Sequence, residues 1–243
     1  TISNIGKLRD ENEDSYANYS IKDKEFFIVA DGMGGHKNGD LASKLAVKSF
    51  IDYIKENLDD NDKDLKTFQK QAIIYANDKI YDLSNENDDF KMGTTVVCLT
   101  IDYSKRKYYI AHLGDSRLYL YRNEQLLKQT RDHSLVNDLI DTGSLTEDEA
   151  KNFINKSAIT KAVGTEKNVE PECKVFDMKD DDIILMFTDG LTNELEDSQI
   201  KEIVANNKTA IDISSKLVEM ALQMGGHDNI TVTTILAVSY THL

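Results

Sequence analysis

Phe26-Phe27-Ile28-Val29-Ala30-Asp31-Gly32 and Ile183-Ile184-Leu185-Met186-Phe187-Thr188-Asp189-Gly190 share one plan: an apolar run, an aspartate, then a glycine. A run of β-branched and aromatic residues of this length reads as a buried strand. Each aspartate therefore stands where a strand leaves the core. The glycine beside it has no side chain and lets the backbone carbonyl approach a neighbour closely. Carboxylates gathered at such strand ends repel one another and are driven toward protonation unless a cation holds them ionised. The repeat reads as half of a metal site.

Outward from these strands the pattern alternates between helix pairs and strand runs. Leu41, Leu45, Ala46, Phe50, Ile51, Ile54 and Leu58 keep helical spacing, and Leu65, Phe68, Ala72, Ile73, Ala76, Ile80 and Leu83 repeat it beyond an acidic stretch, Asp59 to Asp64. Together they predict a helical hairpin. Runs at 94–101, 107–112 and 118–121 predict an antiparallel meander. Residues 134–172 are polar and mixed and read as an inserted flap, with a short helix after Thr146 announced by the capping-box pattern Thr146-Glu147-Asp148-Glu149. Strands at 173–178 and 182–188, helices at 198–205 and 210–224, and a strand at 229–238 complete the order. No βαβ unit repeats, so the predicted class is α+β: a four-layer α-β-β-α sandwich with two central, mainly antiparallel sheets flanked by helix pairs. One domain over 1–243 is expected, and nothing is assigned to the tail from Ser239 to Leu243.

With 40% hydrophobic residues, a chain of 243 residues has enough apolar material for a large core. Its longest apolar run is too short to span a bilayer, and no charged-then-apolar leader opens it, so neither membrane insertion nor an export signal is expected. Two cysteines, Cys98 and Cys173, are too few for a disulfide framework, which points to the reducing cytoplasm. The 29 basic and 43 acidic residues leave a formal charge of -14, which opposes general attraction to nucleic acid or anionic membranes. An acidic protein can still handle phosphate when bound metal reverses the field locally.

Five acidic positions ask for a common explanation: Glu13-Asp14, Asp31-Gly32, Asp115, Asp189-Gly190 and Asp228-Asn229. Singly each is weak. An Asp-Gly pair is more often a turn than a ligand, Asp228 before Asn229 suits a loop cap, and Glu13-Asp14 suits a solvated surface. Their placement against strong strand runs raises the odds. Oxygen ligands without clustered Cys or His select hard divalent ions, Mg²⁺ or Mn²⁺, and two such ions about 3.5–4 Å apart can clamp a phosphoryl transfer. Asp31 is best placed to bridge them. Arg9, four residues before Glu13, can present a guanidinium fork to phosphate, although taken alone it reads as a surface arginine. His36 follows a glycine-rich turn, His112 reads as core, and His133 and His227 each adjoin an acid. The chain lacks the GK[ST] ending of a P-loop, a nucleophile elbow, a HExxH helix and a calcium loop.

Arg9-Asp10-Glu11-Asn12-Glu13-Asp14, Asp31-Gly32-Met33-Gly34-Gly35-His36, Gly93-Thr94-Thr95, Gly114-Asp115-Ser116-Arg117, Asp189-Gly190 and Asp228-Asn229-Ile230-Thr231 together resemble the PP2C-type (PPM) metal-dependent protein phosphatases, bacterial branch. The resemblance covers nearly the whole chain. It implies a β-sandwich flanked by helix pairs and hydrolysis of phosphoserine and phosphothreonine by a metal-bridging hydroxide, without a phosphoenzyme. Carried over by position, Asp31 would bridge two Mn²⁺ or Mg²⁺ ions, the Gly32 carbonyl would bind one, and Asp189 with Asp228 the other. Glu13 and Asp14 would hold metal-bound waters, Asp115 with Asp189 would take a third, weaker ion, and Arg9 would grip the phosphate. Met33 stands where eukaryotic relatives carry a histidine thought to protonate the leaving group, which leaves His36 or a metal-bound water as the acid. The flap lacks the His-Pro and Arg-Asn pattern frequent in bacterial relatives, and the first strand is expected to be short. Expected partners are phosphorylated proteins, a Ser/Thr protein kinase and its substrates among them, acted on by a monomer. A catalytically silent, phosphoprotein-binding relative is the rival from another class.

Overall fold

The computed structural model describes residues 1–34, 38–58, 64–86, 91–150, 153 and 158–237. One sheet orders its strands as β1 (Ile2–Asn4), β11 (Ile230–Leu236), β10 (Ile183–Phe187), β7 (Arg117–Arg122) and β8 (Gln125–Lys128). The other runs β2 (Asp14–Ile21), β3 (Lys24–Met33), β5 (Val96–Asp102), β6 (Lys107–Leu113) and β9 (Glu172–Asp177), with the short β4 (Gly93–Thr94) also on β3. Every strand pairing is antiparallel.

Four layers follow from how the central strands divide their side chains. Along β3, Phe26, Ile28 and Ala30 pack against α1 (Asn38–Asn57) and α2 (Leu65–Ser84), while Val29 turns the other way. Along β10, Leu185 and Phe187 pack against α6 (Asp197–Asn206) and α7 (Ala210–Met224), while Ile184 and Met186 meet Val29, Val97 and Leu99 between the sheets. Both strands bury two faces, so both are apolar throughout instead of alternating. Each fully buried side chain of this kind contributes about 1.5–3 kcal/mol. The predicted four-layer sandwich is the observed one, and no helix among the described residues is long and apolar enough to cross a membrane.

The predicted meander is corrected. β5 and β6 pair as expected, but β7 pairs with β10 and β8 in the opposite sheet. The chain changes sheet at Gly114, whose φ of 110° lies in a region that L side chains rarely adopt. A short strand run carries no mark of which sheet it will join. This crossing places Asp115 between the sheets at the end where β3 and β10 finish.

The segment between β8 and β9 holds α3 (Leu135–Asp141) and α4 (Glu147–Ala150). The expected capping box forms at α4: Thr146 N–H donates to Glu149 Oε2 (2.9 Å) and Glu149 N–H to Thr146 Oγ1 (3.3 Å). The base of this segment is tied down by an antiparallel bridge between Ser134 and Ile159 and by a paired exchange between Thr94 and Val163. Asp59 to Lys63, between the two helices in sequence, and the tail beyond Ala237 lie outside the described residues.

Candidate metal centre

Strand ends gather the predicted acids. Asp31 lies directly opposite Asp14 in the β2–β3 register, Asp189 follows β10 by two residues, and Asp228 stands two residues before β11. Arg9, Glu13, Asp31, Gly32, Asp189 and Asp228 line one cleft of about 660 Å³, to which Leu8, Met33 and Ile159 also contribute. Asp14 and Asp115 sit against it, each 7% exposed. His36 lies outside the described residues.

The sequence builds much of this cluster with contacts that hold backbone. Asp31 N–H donates to Thr95 Oγ1 (3.1 Å), and the Asp31 carbonyl accepts from Thr95 N–H (2.9 Å) and Thr94 Oγ1 (2.8 Å). Asn229 works as a clip: its Oδ1 accepts from Glu13 N–H (2.8 Å), and its Nδ2 donates to the carbonyls of Ile5 (2.8 Å) and Glu11 (3.0 Å). It thereby fixes the loop carrying Arg9 and Glu13 onto the start of β11. Gly190 is required by packing, because a Cβ there would fall 2.0 Å from the Asn229 carbonyl oxygen. Gly190→Ala is expected to cost about 1–3 kcal/mol by overpacking, read as a lower urea midpoint; an unchanged midpoint would contradict this close approach.

Electrostatically the cluster is strained. Loss of water pushes Asp14 up to about 7, against hydrogen bonds from Thr188 and Thr231 and with repulsion from Asp189 and Asp228. Burial likewise raises Asp115 to about 7, with repulsion from Asp189 and Asp132. Asp31 is driven well above the ordinary carboxylate value by burial and then by Asp14, Asp189, Asp115 and Asp228. Burial and Asp228 also raise Asp189. Arg9, about half exposed at 48%, gives Asp228 Oδ2 one hydrogen bond of 2.8 Å.

Two oxygens decide whether a cation fits. Asp14 Oδ2 accepts from Thr188 Oγ1 (2.9 Å), but Asp14 Oδ1 and Asp115 Oδ1 are buried with no hydrogen-bond partner. A buried carboxylate oxygen without a donor is costly, and a hard divalent ion is the partner that an all-oxygen set suits. The donor chemistry fits Mg²⁺ or Mn²⁺.

The family model for protein phosphatase 2C matches residues 9–225 of this chain. The chain belongs to the protein phosphatase 2C family. Among curated relatives of this phosphatase 2C chain, the serine/threonine phosphatase stp of Listeria monocytogenes serotype 4b is 36% identical over 233 residues, covering 95% of this chain and 92% of the relative. Protein phosphatase PhpP of Streptococcus pneumoniae is 35% identical over 237 residues, covering 96% and 95%. The solved serine/threonine phosphatase of S. agalactiae superposes with a TM-score of 0.88 at 34% identity, covering 98% of each chain. The catalytic domain of the phosphatase PstP in complex with 2 manganese ions matches at 0.82 and 30% identity, covering 98% of this chain and 96% of that one. Metal dependence is a property of the protein phosphatase 2C family.

Sequence reasoning missed the supports of this phosphatase 2C site. Thr188 lies inside the quoted run yet was read only as strand; it donates to Asp14 and accepts from Thr231 N–H (3.1 Å). Asn193 donates to Asp189 Oδ2 (3.0 Å), and its spacing of four from Asp189 on the short α5 (Asp189–Thr192) was the available signal. His227 turns from Asp228 and pairs with Glu194 Oε1 (2.7 Å).

Proposed function

We propose that this chain hydrolyses phosphoserine and phosphothreonine in proteins, with Asp31, the Gly32 carbonyl, Asp189 and Asp228 holding two Mn²⁺ or Mg²⁺ ions. Its enzyme class is that of its family: protein-serine/threonine phosphatase, a phosphoric monoester hydrolase. When bound, such ions keep the carboxylates ionised, polarise the phosphoryl oxygens and make water a nucleophile near neutral pH. The observation that supports the assignment is the pair of buried, partnerless carboxylate oxygens on Asp14 and Asp115 beside the cleft.

The protein's own share is positioning. The Asp31 backbone makes three hydrogen bonds with Thr94 and Thr95, one donated and two accepted, so its carboxylate has little freedom to retreat. Glu13 and Asp14 order the water of the cluster, and Asp115 with Asp189 takes a third, weaker ion. Arg9 is paired with Asp228. Neutralising Asp228 frees that guanidinium to grip the substrate phosphate in bidentate fashion. Met33 lines the cleft but has no proton to give the departing serine or threonine oxygen; His36 is proposed as that acid. Residues 134–172 serve as the flap of a single domain spanning 1–243, the substrates include a Ser/Thr protein kinase and its targets, and the enzyme works as a cytoplasmic monomer.

The test is hydrolysis of an aryl phosphate and of a phosphothreonine peptide with Mn²⁺, with and without chelator. Turnover is expected to stop on chelation and return with added Mn²⁺. Chelator-resistant turnover would overturn the metal assignment, and Mn²⁺ binding without release of phosphate would turn the reading into that of a phosphoprotein-binding module.

A further inference from the structure

Residues 114 to 117 make the turn that presents Asp115, and three of the four are gripped by other side chains. Ser116 Oγ hydrogen-bonds Thr95 Oγ1 (2.6 Å), the same hydroxyl that accepts from Asp31 N–H. Arg117 is held by Asp132 through Nε and Nη2, at 3.1 and 2.8 Å. Gly114 is held twice by His133: its N–H donates to His133 Nδ1 (3.0 Å), and its carbonyl accepts from His133 N–H (3.0 Å). Adjacent residues, Asp132 and His133, thus grip both flanks of Asp115, whose own Oδ1 has no partner.

The imidazole is itself built into place. Nδ1 accepts from Gly114, so Nε2 carries the ring proton and donates to Glu172 Oε1 (3.0 Å). The ring is 4% exposed and stacks on His112 with centroids 5.0 Å apart and planes 6° apart. His112, His133 and Glu172 have the composition of a transition-metal site, with ligand atoms within 4.8 Å of one another. Their geometry excludes a shared ion: the lone pairs of two parallel, stacked rings lie in separate planes, and His133 Nδ1 is already occupied. The arrangement is a support.

His133 also belongs to the base of the flap segment. Its carbonyl accepts from Thr160 N–H (2.9 Å), and the next two residues bridge to 158–159, through the Ser134–Ile159 pairing and Leu135 N–H on the Ala158 carbonyl (2.9 Å). Ile159 lines the cleft. One residue therefore touches both the turn that aims Asp115 and the strand leg that enters the cleft.

We propose that His133 is a positioning residue that aims Asp115 through Gly114, setting the affinity of the weaker cation held by Asp115 and Asp189 and tying it to the flap base. The inference rests on the cation assignments made above. Outer partners of metal ligands commonly govern affinity by about 10–100-fold.

The test is Mn²⁺ titration calorimetry on full chains, with thermal midpoints recorded for each. Asp115→Asn identifies the weak class by abolishing it while the tight class remains. In His133→Asn the amide oxygen replaces Nδ1 as acceptor for Gly114, whereas in His133→Gln the amide reaches only the Nε2 position; both lose the ring stack. His133→Gln is expected to weaken the weak class about tenfold, and His133→Asn to stay close to wild type. An unchanged isotherm for His133→Gln, or an equal loss in both variants, would overturn the proposal. If His133→Gln does not fold, Asp132→Asn, which loosens Arg117 on the other flank, must weaken the same class or the proposal falls. Absence of any Mn²⁺ binding in wild type would instead remove the underlying cation assignment.

Discussion

Asp31→Asn is expected to abolish phosphate release while raising the thermal midpoint of the chelated protein. Asp31 lies opposite Asp14 and is raised in pKa by burial and by the surrounding carboxylates Asp14, Asp189, Asp115 and Asp228. An amide has the same shape, but it would bring no charge to the cation proposed there. If Asp31 bridges two cations as proposed, its loss removes a charge interaction made in the transition state, and turnover should fall by about 10³-fold. Without metal, burying that carboxyl among its neighbours is a liability, and its removal should stabilise the fold and raise the midpoint. Activity and midpoint move in opposite directions, which a misfolded variant cannot imitate. A lower midpoint in chelator would show that Asp31 is not under the repulsion described.

How much of this was legible follows from what each residue does. Asp31, Asp189 and Asp228 could be found because a charge abutting a buried strand run is conspicuous. Thr188 and His133 could not, because a residue that orients a ligand or a turn leaves no spacing rule behind; Asn193 offered only its spacing of four from Asp189. Helices α1, α2 and α7 were read through their apolar stripes, and α7 at its observed limits of Ala210–Met224. β2 was missed because its core-facing residues are Ala17, Tyr19 and Ile21, half-buried and mixed with Asn18 and Ser20, so the run reads as polar. β8 was missed because its hairpin turns on Asn123 and Glu124, with φ of 50° and 57°. That geometry is the one for which Asn-Gly is the recognised signal, and Glu conceals it.

The same carboxylates predict how metal-free stability changes with pH. In the folded protein Asp14 and Asp115 titrate at about 7 and Asp31 well above its ordinary value, whereas in the unfolded chain each returns to about 3.8. Between those limits the folded state keeps protons that the unfolded state has released, so unfolding free energy falls as pH rises. Taken alone, Asp14 accounts for about 4 kcal/mol of that loss. The groups do not add, because protonating one relieves its neighbours. His112, lowered by burial, acts with the opposite sign, but only below about pH 6.5. Urea unfolding in chelator should therefore show stability falling as pH rises between about 4 and about 7, with His112 opposing it below about pH 6.5. Mn²⁺ held by the ionised cluster, as proposed, would stabilise most at the upper end and flatten or reverse the slope, releasing protons as it binds. Equal midpoints across that range in chelator would mean that the aspartates ionise freely, and the argument for a cation drawn from their crowding would fail with them.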